Sequence, residues 1–254
     1  TRPVNVISRP DQYVGISTWT GDNNDRFIEY GMKPDLFIVK SRNDNYRPGW
    51  FDSVRGFKNV LWSSRTAIQN NASSYPEDPT PTGITVNNDD GQTNQNTKTY
   101  VGWAFKAGGN KNTFNIDDVG YATAAAAGLD GGDITPTGAS VGTKQGFSII
   151  EFTGSASGTP SISHGLSKAP NFIAQKDTGA TTSWRVFMYN GTTWSIMNFD
   201  DASGATGATE TAPTSSLFYA NGNGNAANTQ IAYLWHDVPG LQKFGTFEGN
   251  GNAD

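Results

Sequence analysis

The chain of 254 residues contains no cysteine, which excludes disulfides, thiolate nucleophiles and cysteine-ligated zinc. Charge is scarce: Asp, Glu, Lys and Arg make up 16% of residues, below the usual quarter of a soluble domain. The formal net charge of −5, with no cluster of Lys or Arg, argues against binding to a phosphate backbone. No apolar run is long enough for a membrane helix, and Thr1–Pro10 lacks the pattern of a signal peptide. The chain starts without Met, which suits a part of a longer protein. No stretch has the length and period of a substantial helix; Ala122–Ala127 supplies one or two turns at most, too few to stand alone.

Glycine is plentiful (30 residues), as are Asn, Thr and Ser, and this composition suits many turns and a neutral polar surface. Short β patterns recur between the turn signals. Tyr13–Thr20 ends at Gly21, Leu36–Val39 follows Pro34, and Thr99–Lys106 alternates with Val101, Trp103 and Phe105 on one face. Gly49–Ser53 and Asn59–Ser63 outline a hairpin, with Arg55 at its turn. The pair Asn190-Gly191 between Ser183–Tyr189 and Thr193–Phe199 is a strong hairpin signal.

The same order of elements then restarts. Trp19-Thr20-Gly21 matches Phe152-Thr153-Gly154 at an offset of 133 residues. Pro34…Lys40 matches Pro170…Lys176 at 136, and Val101/Trp103/Phe105 match Ile231/Tyr233/Trp235 at 130. The drift fits insertions in loops. A third partial copy, Leu241–Gly249, is either the start of another unit or the closing strand of the second.

These patterns predict an all-β chain of two tandem antiparallel β-sandwich, jelly-roll-like repeats, each sheet with one covered face. The expected divisions are an extended lead-in (1–12), repeat 1 (13–109), a Gly/Ala-rich connector (110–145), repeat 2 (146–240) and the closing or third-copy segment (241–254). A barrel is the alternative.

Three blocks carry a further likeness. They are Pro34–Asn43, Trp50-Phe51-Asp52-Ser53-Val54-Arg55-Gly56, and Tyr100–Gly109 with its continuation Asn110–Asn115. Together with His164-Gly165-Leu166, Ala212–Ser216 and Gly240–Gly251 in the second half, they resemble a repeat domain common in virion proteins of marine tailed phages, especially cyanophages. The resemblance spans most of Tyr13–Gly251. It implies a structural protein of a tail fibre, tail appendage or capsid decoration and brings no catalytic motif. In the second half Trp184–Tyr189 stands where the Trp-Phe-Asp-Ser-Val-Arg-Gly block stands in the first, so that block's role is not expected to be duplicated.

Candidate chemistry is sparse. The two histidines, His164 and His236, lack a nucleophile elbow, and His164-Gly165 reads as a turn. Asp22/Asp25, Asn87-Asn88-Asp89-Asp90-Gly91, Asp117-Asp118 and Asp200-Asp201 offer oxygens for calcium, but without EF-hand spacing they read as turn formers. The five Glu residues give no facing pair for glycoside hydrolysis; Glu151 and Glu248 mark one structural position in equivalent strands. The seven Trp residues fall mostly within strands and read as core. Tyr46, Tyr75 and Tyr219 are the loop or edge aromatics suited to stacking on a sugar.

The expectation is a non-enzymatic virion protein that forms homo-oligomers and contacts other virion proteins, without cofactor, metal, nucleic acid or membrane insertion. A carbohydrate-binding module that recognises a host receptor glycan is the alternative, and a polysaccharide-degrading enzyme the third reading.

Overall fold

The computed structural model describes residues 6–87, 91–155, 158–199, 210–220 and 228–246. A 3₁₀ turn at Pro10–Gln12 leads into strands β1 (Val14–Thr20), β2 (Arg26–Glu29), β3 (Leu36–Ser41), β4 (Gly49–Asp52), β5 (Asn59–Trp62), β6 (Asn70–Asn71), β7 (Gly83–Val86) and β8 (Thr99–Phe105). Then follow β9 (Phe114–Ile116), β10 (Val119–Tyr121), β11 (Gly138–Gly142), β12 (Phe147–Thr153) and β13 (Ser161–Ser163). The last five are β14 (Phe172–Asp177), β15 (Arg185–Tyr189), β16 (Trp194–Met197), β17 (Leu217–Tyr219) and β18 (Thr229–Trp235). The described residues are all-β, in a sandwich-like arrangement of several sheets, with no α-helix among them.

One sheet runs β1-β8-β3-β4-β5-β6. The larger runs β10-β9-β11-β12-β18-β14-β15-β16. Two small sheets, β2-β7 and β13-β17, stand apart. The order β1-β8-β3-β4-β5 thus has its counterpart in β12-β18-β14-β15-β16, and β2-β7 has its counterpart in β13-β17. Side chains repeat the match. Asp35 and Asn171, each just after a proline, accept the backbone N–H of Ala107 (2.7 Å) and Asp237 (2.8 Å) respectively. Lys40 reaches the carbonyls of Ser41 and Asp44, and Lys176 those of Asp177 and Ala180.

Hairpins form where turn chemistry predicts them. β15 and β16 pair across Asn190-Gly191, where Asn190 Oδ1 accepts the N–H groups of Thr192 and Thr193. β9 and β10 close on Asp117-Asp118, both at positive φ (48° and 67°), as a tight two-residue hairpin requires.

Two expectations need correcting. Segment 110–145, read as a connector, supplies β9, β10 and β11 to the larger sheet, and β9 pairs parallel with β11, so the pairing is not wholly antiparallel. Few large apolar residues mark these strands: β10 is a short edge, while β11 is buried throughout with small residues, its Ser140 bonded to Gly108 and Gly109. Nor does each sheet have only one covered face. β18 is buried from Gln230 to Trp235, and the alternating side chains of β12 and β14 also enter two different cores.

The reason is a third core between the two large sheets. Phe37, Val39, Phe51 and Val60 join Trp19 and Ile84 in a cluster beneath β2-β7. Ile150, Phe152, Ala232 and Leu234 join Ile162 and Phe218 beneath β13-β17. Leu36, Trp50 and Leu61 from the first sheet meet Phe147, Trp184, Ile231, Tyr233 and Trp235 of the second half in the middle cluster. The indole N–H of buried Trp184 donates to Trp62 O (2.9 Å) across this boundary. The middle cluster is aromatic-rich: Trp50 lies 5.1 Å from the rings of both Trp184 and Tyr233.

Candidate functional site

Two places combine polar chemistry with shelter. The first is a cleft of about 570 Å³ where the lead-in passes the end of β18. Its walls include Arg9 and Tyr13, Thr143 and Lys144 from the β11–β12 turn, Ser167 and Lys168, and His236–Pro239. The lead-in is held there by the Ile7 N–H, which donates to Pro239 O (3.0 Å). Gly146, at φ +64°, makes the close approach possible: a Cβ there would come within 2.6 Å of the His236 ring.

His236 Nδ1 lies 2.9 Å from Asp237 O, so that nitrogen carries the proton of the neutral ring and Nε2 is left as an acceptor. Ser167 Oγ lies 3.4 Å from that Nε2 and 3.5 Å from Thr143 O. Burial, together with the charge of Lys168, pushes the His236 pKa down, which favours this neutral form. The pair is long for activation of a hydroxyl, and the partner of Nδ1 behind the imidazole is the backbone carbonyl of Asp237 rather than a carboxylate. It therefore lacks the oriented base of a hydrolase triad. Lys144, Lys168, Ser167 and Tyr13 instead give the cleft a polar, cationic rim with one aromatic ring, suited to holding a polar or anionic ligand.

The second place is a buried polar network at the boundary of the large sheets. Arg55 Nε donates to Asp52 Oδ2 (2.6 Å), and its Nη groups donate to Gln69 Oε1 (3.0 Å), Trp50 O (3.1 Å) and Tyr233 O–H (3.0 Å). The Tyr233 hydroxyl in turn donates to Asp52 Oδ2 (2.7 Å). Asp52 Oδ1 accepts the N–H groups of Val54 and Arg55 at the hairpin turn. Burial opposes the Arg55 charge, but adjacent Asp52 and Tyr233 outweigh it and its pKa is raised. Burial holds the Tyr233 hydroxyl well above its ordinary value, so it remains a donor. The network is closed, and its chemistry is structural.

The other candidate residues are dispersed. Tyr75 is 5% exposed, stacks edge-on against Phe51 and accepts from Asn70 through its hydroxyl (3.0 Å), so as a sugar-stacking surface it is corrected to a core residue. Tyr46 is half-buried in the β3–β4 loop and its hydroxyl donates to Gln95 Oε1 (2.9 Å). Tyr219, also half-buried, sits in β17 opposite Ser161, on the other side of the molecule's two-sheet boundary from Tyr46. The three tyrosines do not form one surface.

His164 is fully buried. It accepts the Leu166 N–H at Nδ1 (3.0 Å) and faces Thr214 O from Nε2 (3.1 Å), a neutral ring that locks the turn at Gly165. Asp22 accepts Asn24 N–H, Asn94 Nδ2 and Arg26, which engages its oxygens in a turn. Asp117 accepts the amide and hydroxyl of Thr143. Glu151 has a pKa raised by burial and accepts from Thr137. Residues 88–90 of the Asn/Asp run, Asp200-Asp201 and Glu248 lie outside the described residues. Of the Trp residues, Trp103 is the one that remains half-exposed.

Residues 9–254 match a family described as a domain of unknown function, DUF7483. The chain belongs to this family. No curated protein and no solved structure matches it. Membership of DUF7483 covers both large sheets together with the 110–145 strands.

The role of Arg55 escaped sequence reasoning, because its partner Tyr233 lies 178 residues away and only the fold brings them together. One signal was present: the Trp-Phe-Asp-Ser-Val-Arg-Gly block has no counterpart in the second half, as suits a contact made once between two unequal halves. The cleft carried no motif at all, since its walls come from four separate segments.

Proposed function

We propose that this DUF7483 chain is a non-enzymatic structural protein of a phage virion, a building block of a tail fibre or appendage made from two fused copies of one β unit. The observation that carries this reading is the matched strand order, reinforced by the paired roles of Asp35/Asn171 and Lys40/Lys176. Such internal duplication is economical for a rod or spacer, which needs length and stiffness rather than a reaction centre. The likeness of Pro34–Asn43, Trp50–Gly56 and Tyr100–Gly109 to virion repeat domains points the same way. Its partners on this reading are other copies of itself and neighbouring virion proteins.

The test is compositional. Peptides of this chain should be recovered from density-purified particles of the phage that encodes it, and antibodies against it should decorate the tail. Recovery only from the soluble fraction of lysed cells overturns the reading.

A second reading, recognition of a host-surface glycan, is favoured by the cleft rather than by the three tyrosines. Tyr13 beside Ser167, Lys144 and Lys168 suits a sugar bearing a carboxylate. Binding of uronic-acid oligosaccharides that Tyr13→Ala abolishes would support it, and absence of binding across such a set would remove it.

A further inference from the structure

The edges of the two large sheets are unequal. The larger sheet ends in β10, of three residues, and β16, of four; the smaller ends in β6, of two residues, and β1, of seven. Short edges are one of the means by which proteins avoid unwanted strand pairing, and β10 is further flanked by Asp117 and Asp118. β1 uses none of these means. Its sequence Val-Gly-Ile-Ser-Thr-Trp-Thr has no charge and no proline, and its register with β8 runs unbroken from Val14↔Phe105 to Thr20↔Thr99, with no bulge. Among the described residues no strand pairs with its outer side.

The counterpart strand shows what this edge is shaped to take. β12 pairs with β18 on one side, as β1 pairs with β8, but on its other side it is covered along Phe147–Glu151 by antiparallel β11. Among the described residues before β1 there is no such strand: Ile7 bonds instead to Pro239. The apolar surface beside the edge tells the same story. Ile16, Trp103 and Ile38 form one cross-strand row, in which Ile16 is 66% exposed and Trp103 is half-exposed. This leaves apolar surface open to water directly beside the unpaired edge.

We propose that β1 pairs antiparallel with β1 of a second copy of this chain, joining two six-stranded sheets into one continuous sheet. A second copy is the occupant because, among the described residues, no other edge of the two large sheets matches seven residues, and an uncharged strand is complementary to itself under a two-fold axis. In that arrangement the exposed Ile16 side chains of the two copies lie near one another on the same face of the joined sheet. The inference stands on edge geometry and does not depend on the virion reading; a chain of any function with this edge would pair in the same way.

The test uses the whole chain in sedimentation equilibrium from about 1 to about 100 μM, combined with hydrogen exchange. The wild type should reach twice the monomer mass of 27.2 kDa, with the outward-facing β1 amides slowed as the dimer forms. Ile16→Lys should sediment as a monomer, with the outward-facing β1 amides, those not bonded to β8, exchanging freely and its melting temperature close to that of the diluted wild type. Thr18→Lys, on the same exposed face, is the companion variant should Ile16→Lys fold poorly. The proposal is overturned if the wild type remains monomeric at the highest concentration. It is equally overturned if both lysine variants keep the dimer mass, or if the dimer forms while the outward-facing β1 amides exchange as in the monomer.

Discussion

Arg55 Nη2 lies 3.0 Å from the hydroxyl of Tyr233, and this bond ties a hairpin of the first sheet to the central strand of the second. The guanidinium is 2% exposed and the Asp52 carboxylate fully buried, so neither charge has water to fall back on. Replacing Arg55 with Met removes the partner of a buried carboxylate and should destabilise the protein by about 3–5 kcal/mol. Tyr233→Phe leaves the Arg55–Asp52 pair and the two backbone donors in place and should cost less, about 1–3 kcal/mol. Chemical denaturation of the two variants checks the order; a larger loss for Tyr233→Phe would contradict the assignment.

Trp184 is fully buried among Trp50, Tyr233 and Phe199 and donates to Trp62 O. Trp184→Ala should cost about 3–5 kcal/mol through lost packing. Because this side chain spans the boundary between the halves, the loss should appear in the unfolding of both, read by fluorescence of the remaining Trp residues in each sheet. Two transitions that shift independently would refute the joint core.

Gly102 lies mid-strand in β8, where glycine ordinarily weakens a sheet. Here a Cβ would lie 2.7 Å from Phe37 and from the Tyr30 hydroxyl, and 3.0 Å from Trp19. Gly102→Ala should therefore destabilise by about 1–3 kcal/mol through overpacking, against the direction that strand propensity alone predicts. A raised melting temperature would show that the rings yield easily.

Burial lowers the His164 pKa from 6.5 to about 4. Between those values the unfolded chain binds more protons than the folded one, so stability falls as the pH drops through this window. The full effect is on the order of 3 kcal/mol, present above pH 6.5 and lost towards pH 4. His236 shifts in the same direction and adds to the trend. His164→Gln should flatten the acid limb of a stability–pH curve relative to wild type. Parallel curves for the two proteins would assign the acid sensitivity elsewhere.

Phe244 stacks on Phe172 with ring centres 5.7 Å apart, and its N–H donates to Asp237 Oδ1 (2.8 Å). Part of the segment after Gly240 thus packs on the second half. Phe244→Ala should lower stability by about 1–2 kcal/mol, measured by thermal unfolding. An unchanged midpoint would make the segment a passive extension.

Local signals placed most of the strands. Alternation in Thr99–Lys106 and Thr229–His236, Pro34 and Pro170 ahead of apolar runs, and Asn190-Gly191 between two runs all mark strands that form. What was not legible had physical causes. β10 is an edge that needs little apolar area, and β11, though buried, lies so close to the Gly108 backbone that small residues fill it, so no periodic pattern betrays them. Tyr75 stands in a polar stretch yet is buried, because the loop that holds it folds back over Phe51. The middle core was legible only in part: the continuous apolar run Leu36–Val39 suits a strand covered on both faces, and β3 does send Leu36 to one cluster and Phe37 to another, but a sequence does not say what lies over each face. The cleft beside His236 was hidden for the same reason: it exists only where four distant segments converge.

The shared aromatic layer has a mechanical consequence. Two β units joined by a bare tether would extend under load like beads on a string, each turning freely about the tether. Here Trp50, Trp184 and Tyr233 interlock the halves, and Arg55 and the Trp184 indole bolt them across the seam. Any force that parts the halves must first open that seam, so swinging one half on the other costs buried aromatic contacts as well as two hydrogen bonds.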